Sequence, residues 1–236
     1  MIKKGFTLAE ILITLSIIGV VSALTLPNLS SGYSKQVTAT QLSKAINTLE
    51  NANALALQEN YVSDLTFISG NHYYYDAIKD VLKAIKLSHG IRNENYRSYN
   101  NIALEGSEYD ITSGRIAFET KDGMTFVQVP WESGQLNTIP ANLNDMYSGT
   151  FYNILVDING NSKNPNVLGK DLFLLHIDTY GTVIPHGGTQ WASYIKPDNP
   201  DAPLWQTECT KATVTNNDGS ACAGAIIDNG YVVNYF

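Results

Sequence analysis

Charge is scarce in this chain. Only 16% of its 236 residues are Asp, Glu, Lys or Arg, and no block of like charge interrupts it. The 22 acidic residues outnumber the 15 basic ones, giving a net charge of -7. That balance argues against a broad nucleic-acid-binding patch. Cysteine is limited to Cys209 and Cys222. No G-x-S-x-G elbow, P-loop or dinucleotide-binding fingerprint occurs. The four histidines, His72, His89, His176 and His186, are scattered, and none has a partner at metal-ligand spacing. His176 falls within a strand pattern and reads as a packed or edge residue. Internal repeats are absent, as is a second apolar run long enough to span a bilayer. These absences favour a structural subunit over an enzyme.

What is present is concentrated first at the N-terminus, MIKKGFTLAEILITLSIIGVVSALTLP. Lys3 and Lys4 precede Gly5, and residues 6–26 are apolar or small except for Glu10. The length is close to the ~20 residues that cross a bilayer as a helix. A carboxylate in such a segment is costly and calls for a functional reason. A secretory signal would use the two lysines and cleave near Val21-Ser22-Ala23. Against that, the apolar stretch is long, carries Glu10 and continues into a helical pattern. A plain transmembrane anchor predicts the same topology, with the lysines on the cytoplasmic side, but leaves Glu10 unexplained.

The order basic residues, Gly, Phe-Thr-Leu-x-Glu and a long apolar helix resembles the N-terminus of type IV pilins and type II secretion pseudopilins. The resemblance implies cleavage between Gly5 and Phe6 by a prepilin peptidase, N-methylation of Phe6, and a role in assembly for Glu10. Pro27 stands where such helices often carry a proline. Cleavage would expose a positive amine at Phe6, about one helical turn from Glu10. The amine of a neighbouring subunit can also reach Glu10, and pairing the two charges offsets much of their desolvation. Without the leader lysines the side-chain charge falls to -9, from 13 basic and 22 acidic residues.

Past Pro27, Leu42, Ala45, Ile46, Leu49, Ala52, Asn53 and Ala56 recur at helical spacing. One helix is expected over residues 6–58. Residues 6–27 form its transmembrane and assembly half. Residues 28–58 form an amphipathic half that carries a sheet on one face. Pro27 predicts a kink. Residues 59–236 are then the globular domain, with 1–5 as leader. Within it, 61–73 reads as loop, 74–88 as a short helix and 89–110 as irregular. Strands are expected over 115–120 and 124–129 around Lys121-Asp122-Gly123, then over 151–158, 171–178 and 181–184. Residues 130–150 and 185–207 read as loops, and 231–236 as a terminal strand. The whole is α+β and pilin-like: a long N-terminal helix packed on an antiparallel sheet, with a C-terminal disulfide loop. Two cysteines in an exported domain read as one disulfide, Cys209 with Cys222; the alternative is two free buried thiols. Val156-Asp157-Ile158-Asn159-Gly160, Gly169-Lys170-Asp171 and the ending from Cys222 to Tyr231 are similar to the C-terminal half of pseudopilin-like proteins.

The resemblance implies a filament subunit in the bacterial inner membrane, single-pass, with the N-terminus cytoplasmic and the C-terminal domain outside. It would later enter a periplasmic or extracellular filament. Its partners would be identical or related pilin-like subunits, the prepilin peptidase and methyltransferase, and an inner-membrane assembly platform with a cytoplasmic ATPase. The filament is either a type II secretion pseudopilus for protein export or a type IV pilus for adhesion, motility or DNA uptake. From a different class, the chain reads as a membrane-anchored ligand-binding protein, with loops 130–150 and 185–207 as its site and Trp191 and Trp205 as sugar platforms.

One loop carries further polar chemistry. Pairing Asp157 with Asp171 across a hairpin sets Leu155 opposite Phe173 and Phe151 opposite Ile177. Two carboxylates then face each other at the loop mouth, and Asn159 and Asn161 add oxygens. Hard oxygen donors suit calcium, which some pseudopilins bind. The pattern is not an EF-hand, because Gly160 comes too early and Leu168 stands where the bidentate Glu belongs. The other reading is that backbone N–H groups and Lys163 or Lys170 satisfy both carboxylates.

Overall fold

Helical periodicity from Leu8 onward is realised as one helix, α1, over Leu8–Glu59. The computed structural model describes residues 5–63, 65, 78, 86–89, 96–100, 116–129, 152–160, 162–178, 180–195 and 202–236. The chain divides into two compact units, Met1–Val37 and Thr38–Phe236. In the first, Leu8–Thr25 is apolar enough to cross a membrane, with a mean hydropathy of 2.1 and none of it buried. Three of its four hydroxyls bond within the helix: Thr14 Oγ1 donates to Ile11 O at 2.9 Å, Ser16 Oγ to Leu12 O at 2.7 Å and Thr25 Oγ1 to Val21 O at 2.9 Å. Such back-bonding lets polar side chains sit in a medium that offers no partners. The helix runs through Pro27 without interruption.

The second unit is built on a six-stranded antiparallel sheet whose strands follow chain order. They are β1 (Lys86–His89), β2 (Ile116–Glu119), β3 (Thr125–Val129), β4 (Tyr152–Asp157), β5 (Leu172–Ile177) and β6 (Val183–Pro185). Three short helices follow: α2 (Thr189–Ile195), α3 (Trp205–Glu208) and α4 (Cys222–Asp228). On one face of the sheet, Leu42, Ile46 and Leu49 of α1 join Phe118, Phe126, Ile154, Val156, Phe173 and Leu175 in the main core. Alanines at 39, 45, 52 and 56 are buried with them, so the helix lies close to the strands. Phe118 and Phe126, register partners on β2 and β3, stack at 5.1 Å. The opposite face holds a second cluster of Tyr96, Ala117, Val127, Leu155, Leu168, Leu172 and Leu174. Every residue of β4 and β5 is therefore buried.

Several expectations need correction. The β4–β5 register is one residue from the one expected: Asp157 pairs with Leu172, Val156 with Phe173 and Tyr152 with Ile177. With both faces buried, apolar alternation does not penalise a one-residue slip. Residues 86–89 are strand, not the end of a helix, because β2 supplies their hydrogen-bonding partners; of the rest of that expected helix only Ile78 is described. Residues 185–207 contain α2 and α3. The first turn of α2 is capped from 39 positions away, with Thr189 N and Thr189 Oγ1 donating to Asp228 Oδ2 at 2.7 and 2.8 Å. The C-terminus is not a strand; it is pinned by Tyr235, whose hydroxyl donates to Gly169 O at 2.6 Å. Loop 130–150 lies outside the described residues.

The Cys209–Cys222 disulfide forms, with Cα atoms 5.2 Å apart. It links the residue after α3 to the start of α4. Helix α4 packs so tightly that a Cβ on Gly224 would lie 2.1 Å from Gly188 N. Backbone cannot yield as a flexible side chain does. Gly224→Ala is therefore expected to destabilise the domain by about 1–3 kcal/mol or more, read as a lowered melting midpoint of the full chain in detergent. A midpoint equal to wild type contradicts this packing.

Candidate functional sites at the helix start and the long hairpin loop

The first turn of α1 is closed by two side chains. Thr7 precedes the helix and Glu10 is its third residue. Glu10 N donates to Thr7 Oγ1 at 3.3 Å, and Thr7 N donates back to Glu10 Oε2 at 2.8 Å. Thr7 Oγ1 also donates to Glu10 Oε2 at 2.8 Å. This is a capping box, which satisfies amide groups that the first helical turn leaves without partners. Its signature, Ser or Thr three residues before Glu, is legible in the sequence, and Thr7 is the residue that reading for a cleavage motif alone overlooks. Both bonds that the Glu10 carboxylate accepts fall on Oε2, and among the described residues Oε1 accepts none. Gly5 and Phe6 lie ahead of the helix; Phe6 is 86% exposed, and no atom stands within 4 Å of where a Cβ on Gly5 would be.

The loop between β4 and β5 brings Asp157, Asn159 and Asp171 together; Asn161 lies outside the described residues. Asp157 Oδ1 accepts from Asn159 N at 3.2 Å and Gly160 N at 2.9 Å, and Oδ2 accepts from the Tyr96 hydroxyl at 2.7 Å. Asp171 Oδ2 accepts from Asn166 N at 2.7 Å and Asn159 Nδ2 at 3.0 Å, and Oδ1 from Val167 N at 2.7 Å. Asn159 thus bridges the two carboxylates. Neither Lys163 nor Lys170 forms an ion pair with them; Lys170 instead lies over the Tyr99 ring at 5.0 Å. Tyr96 was not legible as a partner, because 61 residues separate it from Asp157.

Both carboxylates are buried, and among the described residues neither has an ion-pair partner. Burial pushes the Asp157 carboxyl up to about 7; the Tyr96 hydrogen bond opposes this and the Asp171 charge adds to it. Burial also raises Asp171, against its backbone hydrogen bonds. Thr125, the register partner of Asp157 on β3, has a buried hydroxyl with no hydrogen-bond partner. Asn159 Oδ1 and Asn166 Oδ1 are likewise buried without partners. Among the described residues, no group of three or more His, Cys, Asp or Glu side chains converges for a metal.

The remaining expected residues separate. Trp191 is buried, and Trp205 is partly buried, with its Nε1 donating to Asp228 Oδ2 at 2.7 Å. His176 is packed, as its strand position suggests, and meets His186 across the sheet.

A raised carboxyl pKa means that the folded state holds a proton that the unfolded chain releases. Stability from Asp157 is thus full below the ordinary carboxylate range and is lost as pH rises through about 7. The melting midpoint of the wild type is expected to fall between pH 6 and pH 8, and Asp157→Asn to flatten that fall. An equal fall in both proteins excludes Asp157 as its source.

No curated protein and no solved structure matches the chain. Its residues 1–26 match the family described as the prokaryotic N-terminal methylation motif. That motif implies processing by a prepilin peptidase and assembly with other pilin subunits. Together with the apolar helix, it fits a membrane-anchored pilin. A capped helix start, one carboxylate in an otherwise uncharged span, an antiparallel sheet and a C-terminal disulfide thus accompany a chain that carries the prepilin-type motif of type IV pilins and pseudopilins.

Proposed function

We propose that this chain is the structural subunit of a type II secretion pseudopilus-like filament that polymerises through Leu8–Thr25 and serves protein export. The observation that carries the reading is Glu10 on an exposed apolar helix: its Oε2 closes the capping box while, among the described residues, its Oε1 accepts no hydrogen bond. After cleavage behind Gly5, the amine of a neighbouring Phe6 supplies the missing partner for that oxygen. Work on the filament comes from an assembly platform and its ATPase. The resemblance of Val156–Gly160 and the C-terminal residues to pseudopilin-like proteins favours export over adhesion, motility or DNA uptake. Short periplasmic fibres in electron micrographs support this; long surface fibres overturn it in favour of a pilus.

The mature protein is expected to begin at N-methylated Phe6, as read by mass spectrometry of its N-terminal peptide. An intact Met1, or a start at Leu24, overturns the reading. Glu10→Gln separates the two duties of the carboxylate, since glutamine also completes a capping box. Loss of filaments in both Glu10→Gln and Glu10→Ala, with membrane insertion retained, is the result expected of charge pairing. Normal filaments from Glu10→Gln reduce Glu10 to a helix cap.

The β4–β5 loop is proposed to take calcium. The buried oxygens Asn159 Oδ1 and Asn166 Oδ1 have no donor, and Asp157 and Asp171 supply carboxylates beside them. Such hard oxygens suit the ion. Calcium would compete with the proton on Asp157, so its effect grows with pH. Millimolar calcium is expected to raise the melting midpoint of the full chain at pH 8 more than at pH 6, relative to a chelator. Equal midpoints with calcium and chelator at pH 8 remove this proposal.

A further inference from the structure

A second buried polar group lies on the same sheet face, toward the β6 edge. Asn153 on β4 and His176 on β5 are register partners, and His186 follows β6. Asn153 Oδ1 lies 2.7 Å from His176 Nδ1, and His176 Nε2 lies 2.8 Å from His186 Nδ1. The His186 ring meets Trp191 of α2 edge-on, with centroids 4.7 Å apart. All four side chains are buried. The amide oxygen can only accept, so His176 Nδ1 carries hydrogen and its Nε2 accepts from Nδ1–H of His186. Each link thus has one donor and one acceptor, a match that fails at the ring–ring link once both rings are protonated.

The backbone makes this residue pair a junction. His186 N donates to Leu174 O of β5 at 3.1 Å, and Gly224 N of α4 donates to His186 O at 3.0 Å. We propose that the Asn153–His176–His186 chain is an acid-sensitive lock. It fastens β6 and α2 to the sheet while both imidazoles are neutral and releases that corner when they take up protons. A first proton can enter at Nε2 of His186, which keeps both links but leaves a charge buried. A second sets N–H against N–H across a 2.8 Å link.

Burial favours neutral rings at pH 7. Burial, and then the charge of His186, holds His176 well below the ordinary histidine range. Burial takes His186 down to about 4, partly opposed by Asp218 in the loop before α4. Other charges on the packed elements are engaged elsewhere. Asp178, after β5, accepts from Tyr180 N, Thr182 N and the Tyr194 hydroxyl of α2. Asp228 of α4 accepts from Thr189 and Trp205. Because the folded state disfavours the protonated rings, the lock is fully closed above pH 6.5 and weakens as pH falls toward about 4. Asp157 acts in the opposite direction, so the two contributions are separable by the sign of their pH dependence.

The test uses the full chain in detergent, with nitrogen-15 in the histidine rings. At pH 7.5 both rings are expected to be neutral, with hydrogen on Nδ1 of His186. Below pH 6.5, exchange of the Ile184 and Ala192 amides, corrected for intrinsic rate, should rise about tenfold per pH unit for each proton taken up. Amides in the middle of β4 should lag behind. Ordinary titration of both rings near pH 6.5 overturns the lock, as does unchanged protection of Ile184 and Ala192 at pH 4.5. In a His176→Gln/His186→Gln variant the acid response should vanish, and its persistence also overturns the proposal. If that variant does not fold, the wild-type spectra alone decide.

Discussion

Burial of both faces of the β4–β5 hairpin is the constraint on which the globular unit depends. A half-buried sheet can turn its polar side chains to water; this one cannot. Asp157, Asn153 and His176 sit on strands in which every residue is buried, so each needs a partner inside the protein. The consequences follow in sequence. Tyr96 is brought 61 positions along the chain to Asp157, the 157–160 turn aims its N–H groups at the same carboxylate, and the two histidines share one hydrogen bond. Burial then pushes the acid up and the bases down, both toward neutrality.

The same solvent argument runs in reverse in the first unit. Leu8–Thr25 has no protein around it and is apolar on all sides, which is stable only where water is absent or where other helices cover it. Thr14, Ser16 and Thr25 turn their hydroxyls onto the helix's own backbone. Glu10 is the exception, a charge that the helix can hydrogen-bond but cannot neutralise. Hydrogen bonds from Thr7 reduce its need for solvent and leave its charge in place. A positive partner is what remains to be supplied, and no basic residue lies within this span.

Much of this was legible from residues that act locally. Apolar spacing from Leu42 to Ala56 and the Lys121-Asp122-Gly123 turn predicted α1, β2 and β3 to within a few residues. Long-range devices were not legible. Helix α2 depends on the carboxylate of Asp228, and α4 contains Gly224, which reads as a helix breaker until Gly188 is seen against it. The β4–β5 register failed for a different reason: apolar residues on both faces make neighbouring registers look equivalent, and loop hydrogen bonds decide between them. His176 and His186 are only ten residues apart, yet their meeting requires β5 and β6 to pair.

Thr7 clarifies why helix capping and charge pairing do not compete for Glu10. If the carboxylate were needed only to finish the first turn, glutamine or an aspartate cap would serve as well, and an ion in an apolar span would be a needless cost. If it were needed only to bind an amine, nothing would fix its rotamer, and ordering a free side chain would weaken the pairing. Thr7 resolves both problems at once. Its N–H and hydroxyl converge on Oε2 and hold the side chain against the helix start. A carboxylate ordered before its partner arrives loses less entropy on pairing than a free one. Since Thr7 follows Gly5, the proposed cleavage behind Gly5 would leave that arrangement intact.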